Sequence, residues 1–195
     1  MDNKSLILNN IGKWINLTEA EADHFTSLLK PVTAKRKELI LEAGEICRYS
    51  YFVTSGCLRG YTIDANGFEH VLNFAAPNWW IADMYSLLSQ RPGNTYIQAL
   101  EPTSTLALSK DAQERLYREI PAFERFFRII TENSLVSFQQ RLLDNLSLTA
   151  EERYQNFCKR YAGLTDSIPA KQVASYIGVT PEFLSKMKHK LLYKK

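Results

Sequence analysis

Between Pro121 and Ser147 the chain runs through residues 122–146 without a glycine or a proline. Nothing in that stretch stops a helix. As one rod, at ~1.5 Å per residue, it reaches ~37 Å, beyond the ~30 Å width of a small domain. Its apolar residues form two stripes. Phe123, Phe127, Ile130, Phe138 and Leu142 share one face. Phe126, Ile129, Val136 and Leu143 share another, where Asn133 and Gln140 complete an a/d-like seam. The first face suits a packed domain. The second asks for a partner, most simply the same helix of a second copy; burial on both sides within one chain is the alternative.

The rod separates two kinds of sequence. Residues 1–30 read as helical, with a capping box in Thr18 and Glu21 and apolar Ala22, Phe25, Leu28 and Leu29 at helical spacing. Residues 32–110 then break into short apolar runs: 38–41, 49–53, 57–63, 70–74, 96–100 and 103–108. Turns at Gly44, Gly56, Asp64-Ala65-Asn66-Gly67 and Glu101-Pro102 separate them. Short strands so closely spaced predict an antiparallel double sheet of about eight strands, jelly-roll-like. Ser109 caps a short helix before the rod, and Thr149 with Glu152 opens another after it.

The last segment reads as helix, glycine turn, helix. Val173, Ala174 and Ile177 make an apolar face, and Gly178 permits the reversal. Thr180 is a good N-cap, with Pro181 at the first helical position, where a missing N–H costs nothing. In the second helix Leu184, Met187 and Leu191 point inward. Glu182, Ser185, Lys186 and His189 share the opposite face. A polar, basic face on a helix that follows a tight turn suits a DNA major groove. Such side chains can bond base edges and neutralise phosphates. A helical hairpin within a bundle could show the same spacing.

Charge agrees with a polyanionic partner. Residues 168–195 hold six lysines and one acid, a net +5, whereas the rest of the chain carries −2. A solvated basic tail is the other reading. No apolar run approaches the ~18 residues of a membrane span, and the polar start, Met1 to Trp14, has no secretory pattern. Cys47, Cys57 and Cys158 are odd in number and lack CxxC spacing, so a reducing cytoplasm is expected.

Enzyme chemistry finds little to stand on. A metal-binding jelly roll needs converging histidines, but His24, His70 and His189 fall in separate elements. No nucleophile elbow, P-loop or HExxH motif occurs. Three scattered cysteines cannot hold a four-thiolate cluster. Neither a cofactor, a metal nor a catalytic residue is expected.

Taken along nearly its whole length, the chain resembles the Crp/Fnr superfamily of bacterial transcription regulators, whose founding member is the catabolite activator protein. The stretch from Val173 to Lys186 carries the likeness most specifically; Phe52 to Leu58 and Asn78 to Asp83 support it. The resemblance implies an α+β chain in three parts. These are a cyclic-nucleotide-binding-like roll over residues 1–120, a dimerisation helix over 121–146 and a helix-turn-helix domain over 147–195, without the C-terminal wing of many members.

By position, Glu182 and Lys186 match the family's base-reading Glu and Arg. A lysine lacks the planar fork of arginine. Pro181 stands where the catabolite activator reads a base with arginine, and it cannot do so. Lys171 and Thr180 fall at phosphate contacts. The expected DNA-binding set is therefore Lys171, Thr180, Glu182, Ser185, Lys186, Lys188, His189 and Lys190. Lys188 and Lys190 would hold phosphates.

At the sensor end Ala82 and Asp83 occupy the family's Gly-Glu position, and Asn94 and Thr95 its Arg-Ser position. Without the arginine, a buried cyclic phosphate has no fixed cation, so cyclic AMP is not the expected effector. The partners implied are double-stranded DNA, a second copy of the chain, RNA polymerase and an unidentified small-molecule effector, with no membrane. The rival is a sensory dimer that acts through protein contacts alone.

Overall fold

The computed structural model describes residues 2–165 and 167–193. Helices α1 (Asn3–Ile11) and α2 (Glu19–Ser27) come first. Strands β1 (Lys30–Ala34), β2 (Leu39–Leu41), β3 (Tyr49–Ser55), β4 (Leu58–Ile63), β5 (Glu69–Ala75) and β6 (Trp80–Ile81) follow. Next come α3 (Met84–Ser89), β7 (Tyr96–Ala99) and β8 (Thr103–Ser109). The chain then runs through α4 (Lys110–Glu119), α5 (Ala122–Ser147), α6 (Ala150–Arg160), α7 (Ala170–Ile177) and α8 (Pro181–Tyr193). No described helix is long and apolar enough to cross a membrane.

The strands make the expected double sheet, ordered β1-β8-β3-β6 and β2-β7-β4-β5. Strands β3 and β8 are the hinge of its packing. They pair antiparallel, Tyr51 facing Ala107 and Phe52 facing Leu106. Because successive side chains point to opposite faces, Phe52, Leu106 and Leu108 turn to one side, and Val53 and Ala107 to the other. The first group meets Ile7, Ile11, Phe25, Leu116 and Phe123 from the helices. The second meets Leu58, Leu87, Ile97 and Ala99 between the sheets. Both faces of this pair are thus buried. Each large apolar side chain so enclosed stabilises the fold by roughly 1.5–3 kcal/mol.

The turn before β4 requires glycine. Gly56 has φ +81°, and a Cβ there would stand 2.5 Å from both the Pro102 carbonyl and the Thr103 hydroxyl. Thr103 spends that hydroxyl on the Cys57 amide, 3.1 Å away.

Capping residues mark helix starts as expected. Thr18 with Glu21 and Thr149 with Glu152 both form capping boxes, and Ser109 accepts from the Ala112 amide. The N-terminal helical region comprises two helices, α1 and α2. Strands β1 and β6 and helix α3 were not foreseen: each is short, and its pattern lies below what periodicity can separate from a loop.

The rod exists, but its stripes are divided along its length rather than around it. Phe123, Phe126 and Phe127 are buried, whereas Leu135, Val136, Phe138, Leu142, Leu143 and Leu146 are exposed. Phe126 therefore does not belong to a dimer seam. Its ring lies 5.1 Å from that of Phe127 and 6.3 Å from that of Trp80, inside the helical core. Ile129 is half-buried, and Asn133, Val136, Gln140 and Leu143 remain open. Phe138 and Leu142, expected on a sheet-facing stripe, are open too. Core packing of the two apolar stripes ends after the first turns, and beyond it their apolar residues are exposed.

Two compact units result. One comprises residues 1–62 and 73–133; the other comprises residues 63–72 and 134–195. Helix α5 contributes to both. The tip of the β4–β5 hairpin is counted with the second.

Candidate nucleic-acid interface

Helix α7 ends at Gly178, which takes the left-handed conformation at φ 72° and whose amide bonds Ala174 and Ser175 carbonyls. The Val179 amide reaches back to the Ala174 carbonyl at 3.0 Å, closing the reversal. Helix α8 begins immediately: the Thr180 hydroxyl accepts from the Phe183 amide at 3.2 Å, and the Thr180 carbonyl accepts from Leu184 at 3.0 Å. Val173, Ala174, Ile177, Leu184 and Met187 are buried. On the other side of α7, Tyr176 joins Phe157 and Tyr161 in a ring cluster with centroids 5.2–5.5 Å apart.

That packing leaves one face of α8 open. Glu182, Ser185, Lys186, His189 and Lys190 are all exposed, as are Lys171 and Thr180. The amide of Glu182 itself, the Thr180 hydroxyl and the Lys186 charge hold the Glu182 carboxyl below the usual carboxylate range. It is thus an ionised acceptor at neutral pH. Lys188 differs. At ~100° per residue it lies ~200° round the helix from Lys186, and its ammonium stands 5.8 Å from the centre of the Tyr154 ring on α6. It faces α6, apart from the polar face that holds the side chains expected to read bases. Lys194 and Lys195, counted in the basic end, lie outside the described residues.

Phe183 was missed by the sequence reading. It is 51% exposed and sits between the polar face and the inward residues. With Lys186, His189 and Lys190 it lines a groove of about 760 Å³, whose other wall is Thr149, Ala150 and Glu151 at the start of α6. A helical wheel places it at the edge of the polar stripe, the one available signal.

A second feature was also missed. Arg141 on α5 donates to the carbonyls of Leu72 (2.5 Å), Val71 (2.8 Å) and Tyr176 (2.8 Å), with its guanidinium 4.0 Å from the Tyr176 ring centre. Its Nε is buried with no hydrogen-bond partner, and burial lowers its pKa. Ser175 completes the clasp: its hydroxyl donates to the Glu69 carbonyl at 2.7 Å and accepts from the Val71 amide at 2.9 Å. Arg153 adds bonds to the Ile177 and Leu148 carbonyls, both at 2.9 Å. Helix α7 is thus tied to the hairpin and to two other helices. All of these hydrogen-bond partners are main-chain atoms, and all but the Leu148 carbonyl lie 24 or more residues away in sequence, so no residue pattern announces them.

The expected effector residues do not share one environment. Asp83 is buried and caps α3 by accepting from the Ser86 amide at 3.2 Å. Ser86 in turn donates to the Arg91 carbonyl (2.6 Å) and accepts from the Cys47 amide (2.8 Å). Gly93 packs so closely that a Cβ would lie 2.1 Å from the Asp83 carboxylate. Asn94 is exposed; Ala82 and Thr95 are half-buried. A buried carboxylate that serves as a cap is a poor receptor for an anion. The roll's buried cation is Arg59 instead. It bonds the Gln98 side-chain oxygen through Nε (3.0 Å) and Nη2 (2.6 Å) and stacks on Tyr61, 3.9 Å from the ring centre. Among the described residues, no cluster of His, Cys, Asp or Glu could hold a metal ion.

Residues 31–119 match the family model for the cyclic nucleotide-binding domain. The anaerobic regulatory protein of Haemophilus influenzae is 23% identical over 185 residues, covering 88% of this chain and 70% of that one. Regulatory protein HlyX of Actinobacillus pleuropneumoniae is 23% identical over 178 residues, covering 86% and 72%. FixK2 from Bradyrhizobium japonicum superposes with a TM-score of 0.75 at 21% identity, over 85% of each chain. The roll, the long helix and the helix-turn-helix occur in one order along a chain that is similar to these regulators over most of its length.

Proposed function

We propose that this chain is a homodimeric, DNA-binding transcription regulator that reads a two-fold-symmetric site through α8. The observation that carries this reading is the open face of α8, where Glu182, Ser185, Lys186 and His189 stand exposed above buried Leu184 and Met187. Glu182 suits the amino group of cytosine, and Lys186 the acceptors of guanine. Lys171, Thr180 and Lys190 hold phosphates, which sets the register but carries no sequence information. Dimerisation uses the open half of α5, where Val136, Leu143 and Leu146 would otherwise keep apolar surface in water.

The roll acts as the sensor and biases the two reading heads. Such a bias requires a ligand that binds two states with different affinity. RNA polymerase is the partner through which a bound dimer would act on transcription. No catalytic step enters this account.

Selection of duplexes from a random library by the full chain tests it. The enriched sequences should form an inverted repeat with half-sites ~34 Å apart. Selection by the E182A/K186A variant should lose the consensus while still retaining DNA. Enrichment of an identical consensus by that variant would remove α8 from the reading. Failure to enrich any duplex would favour the sensory dimer that works through protein contacts.

A further inference from the structure

Phe183 is a large aromatic side chain held open to water on the helix that carries the reading face. It stands at the edge of the inward face, one turn before buried Met187 and next to buried Leu184, yet it is half exposed itself. Its origin is fixed, because its amide is bonded to the Thr180 hydroxyl at 3.2 Å. Lys186 stands three residues on and Lys190 seven, so the three share one stripe along the helix. All three border the groove between α8 and the first turn of α6.

The charged neighbours leave a gap in what the helix can read. Glu182 and Lys186 offer an acceptor and a donor, which suit cytosine and guanine. Neither can recognise the one apolar group that a base presents in the major groove, the 5-methyl of thymine. An exposed ring beside them supplies that contact. It gains by burial against the methyl what it loses by exposure in the free protein.

We propose that Phe183 is a specificity-determining residue that packs on a thymine 5-methyl in each half-site. The proposal rests on α8 being a DNA-reading helix, and the test separates the two. The probe is the duplex enriched by the full chain, resynthesised with deoxyuridine in place of thymidine at one position per half-site at a time. Uracil pairs as thymine does and lacks only the methyl.

At one position in each half-site the wild-type chain should lose affinity. The loss should be about fourfold per methyl, the transfer value of one methyl-sized group, and about fifteenfold for a dimer that loses both. F183A should bind the thymidine duplex as weakly as the wild type binds the deoxyuridine one. It should also be indifferent to the exchange. F183L, still apolar, should recover part of the sensitivity. Unchanged thermal melting of F183A and F183L separates lost contact from lost fold. The proposal is overturned if the wild type is indifferent to deoxyuridine at every position, or if F183A stays as sensitive as the wild type. A chain that enriches no duplex at all overturns it together with the DNA-reading function. A chain that reads cytosine and guanine but no methyl overturns it alone.

Discussion

Burial pushes the Cys57 thiol up to about 12 and raises that of Cys47, so both are neutral at physiological pH. A neutral thiol is a poor nucleophile, and these two act as small core residues rather than as sensors. Iodoacetamide should label half-buried Cys158 first in the native chain, and Cys47 and Cys57 only as it unfolds. Equal labelling rates at Cys57 and Cys158 would contradict that core. The same burial ties stability to alkaline pH. Tyr51 and Tyr117 are also pushed up to about 12 by burial. A raised pKa contributes stability that is whole below the unfolded value and disappears as pH climbs through the folded one. The melting temperature should therefore fall from about pH 8.5, where unfolded thiols begin to ionise, and further above pH 10. A flat profile to pH 11 would show that these groups are exposed. At this scale the sequence was readable wherever a role depends on near neighbours. Thr18, Ser109, Thr149 and Thr180 cap as their spacing implies. Arg59 and Arg141 were not readable, because their partners lie 39 and 35–70 residues away.

Among the elements, α7 is the one whose position matters most to the polar face of α8, since α8 follows it after a three-residue reversal, Gly178 to Thr180. It is held by the hairpin residues Glu69 and Val71 through Ser175, and by Arg141 across the Tyr176 ring. Ser175→Ala would leave one amide and one carbonyl without that partner, at a cost of about 1–3 kcal/mol. Hydrogen exchange should then speed up in residues 170–177 and 69–72 together, while β3 and β8 keep their protection. Acceleration in α7 alone would mean that the hairpin does not share its stability. Helix α5 shows why its two faces were misjudged. Apolar residues recur along all 26 of its residues, but only those of its first turns enter the helical core. The seam residue Phe126 was thus assigned outward and lies inward, and Phe138 and Leu142 the reverse. A helical wheel records direction around an axis and is blind to where the neighbouring layer stops. Strands β3 and β8, by contrast, were legible because their central runs, Tyr51-Phe52-Val53 and Leu106-Ala107-Leu108, are apolar on both faces and lie between turn signals.

For the whole molecule, the account joins a roll built on two cores, a helix that leaves apolar surface open, and a basic reading head. Electrostatics and side-chain chemistry then make separable demands on the partner. On the proposed reading, phosphate contacts from Lys171 and Lys190 would release counterions and make affinity fall with salt whatever the sequence. Base contacts from Glu182 and Lys186 would distinguish one duplex from another at any given salt. Fluorescence anisotropy across a salt series, with the enriched duplex and a shuffled one, measures both at once. The account predicts that the wild type prefers the enriched duplex by roughly a thousandfold or more, with log affinity falling steeply against log salt for both. E182A/K186A should erase the preference and keep most of the slope. A preference that survives in that variant, or affinity that does not respond to salt, would contradict a reading head built on α8.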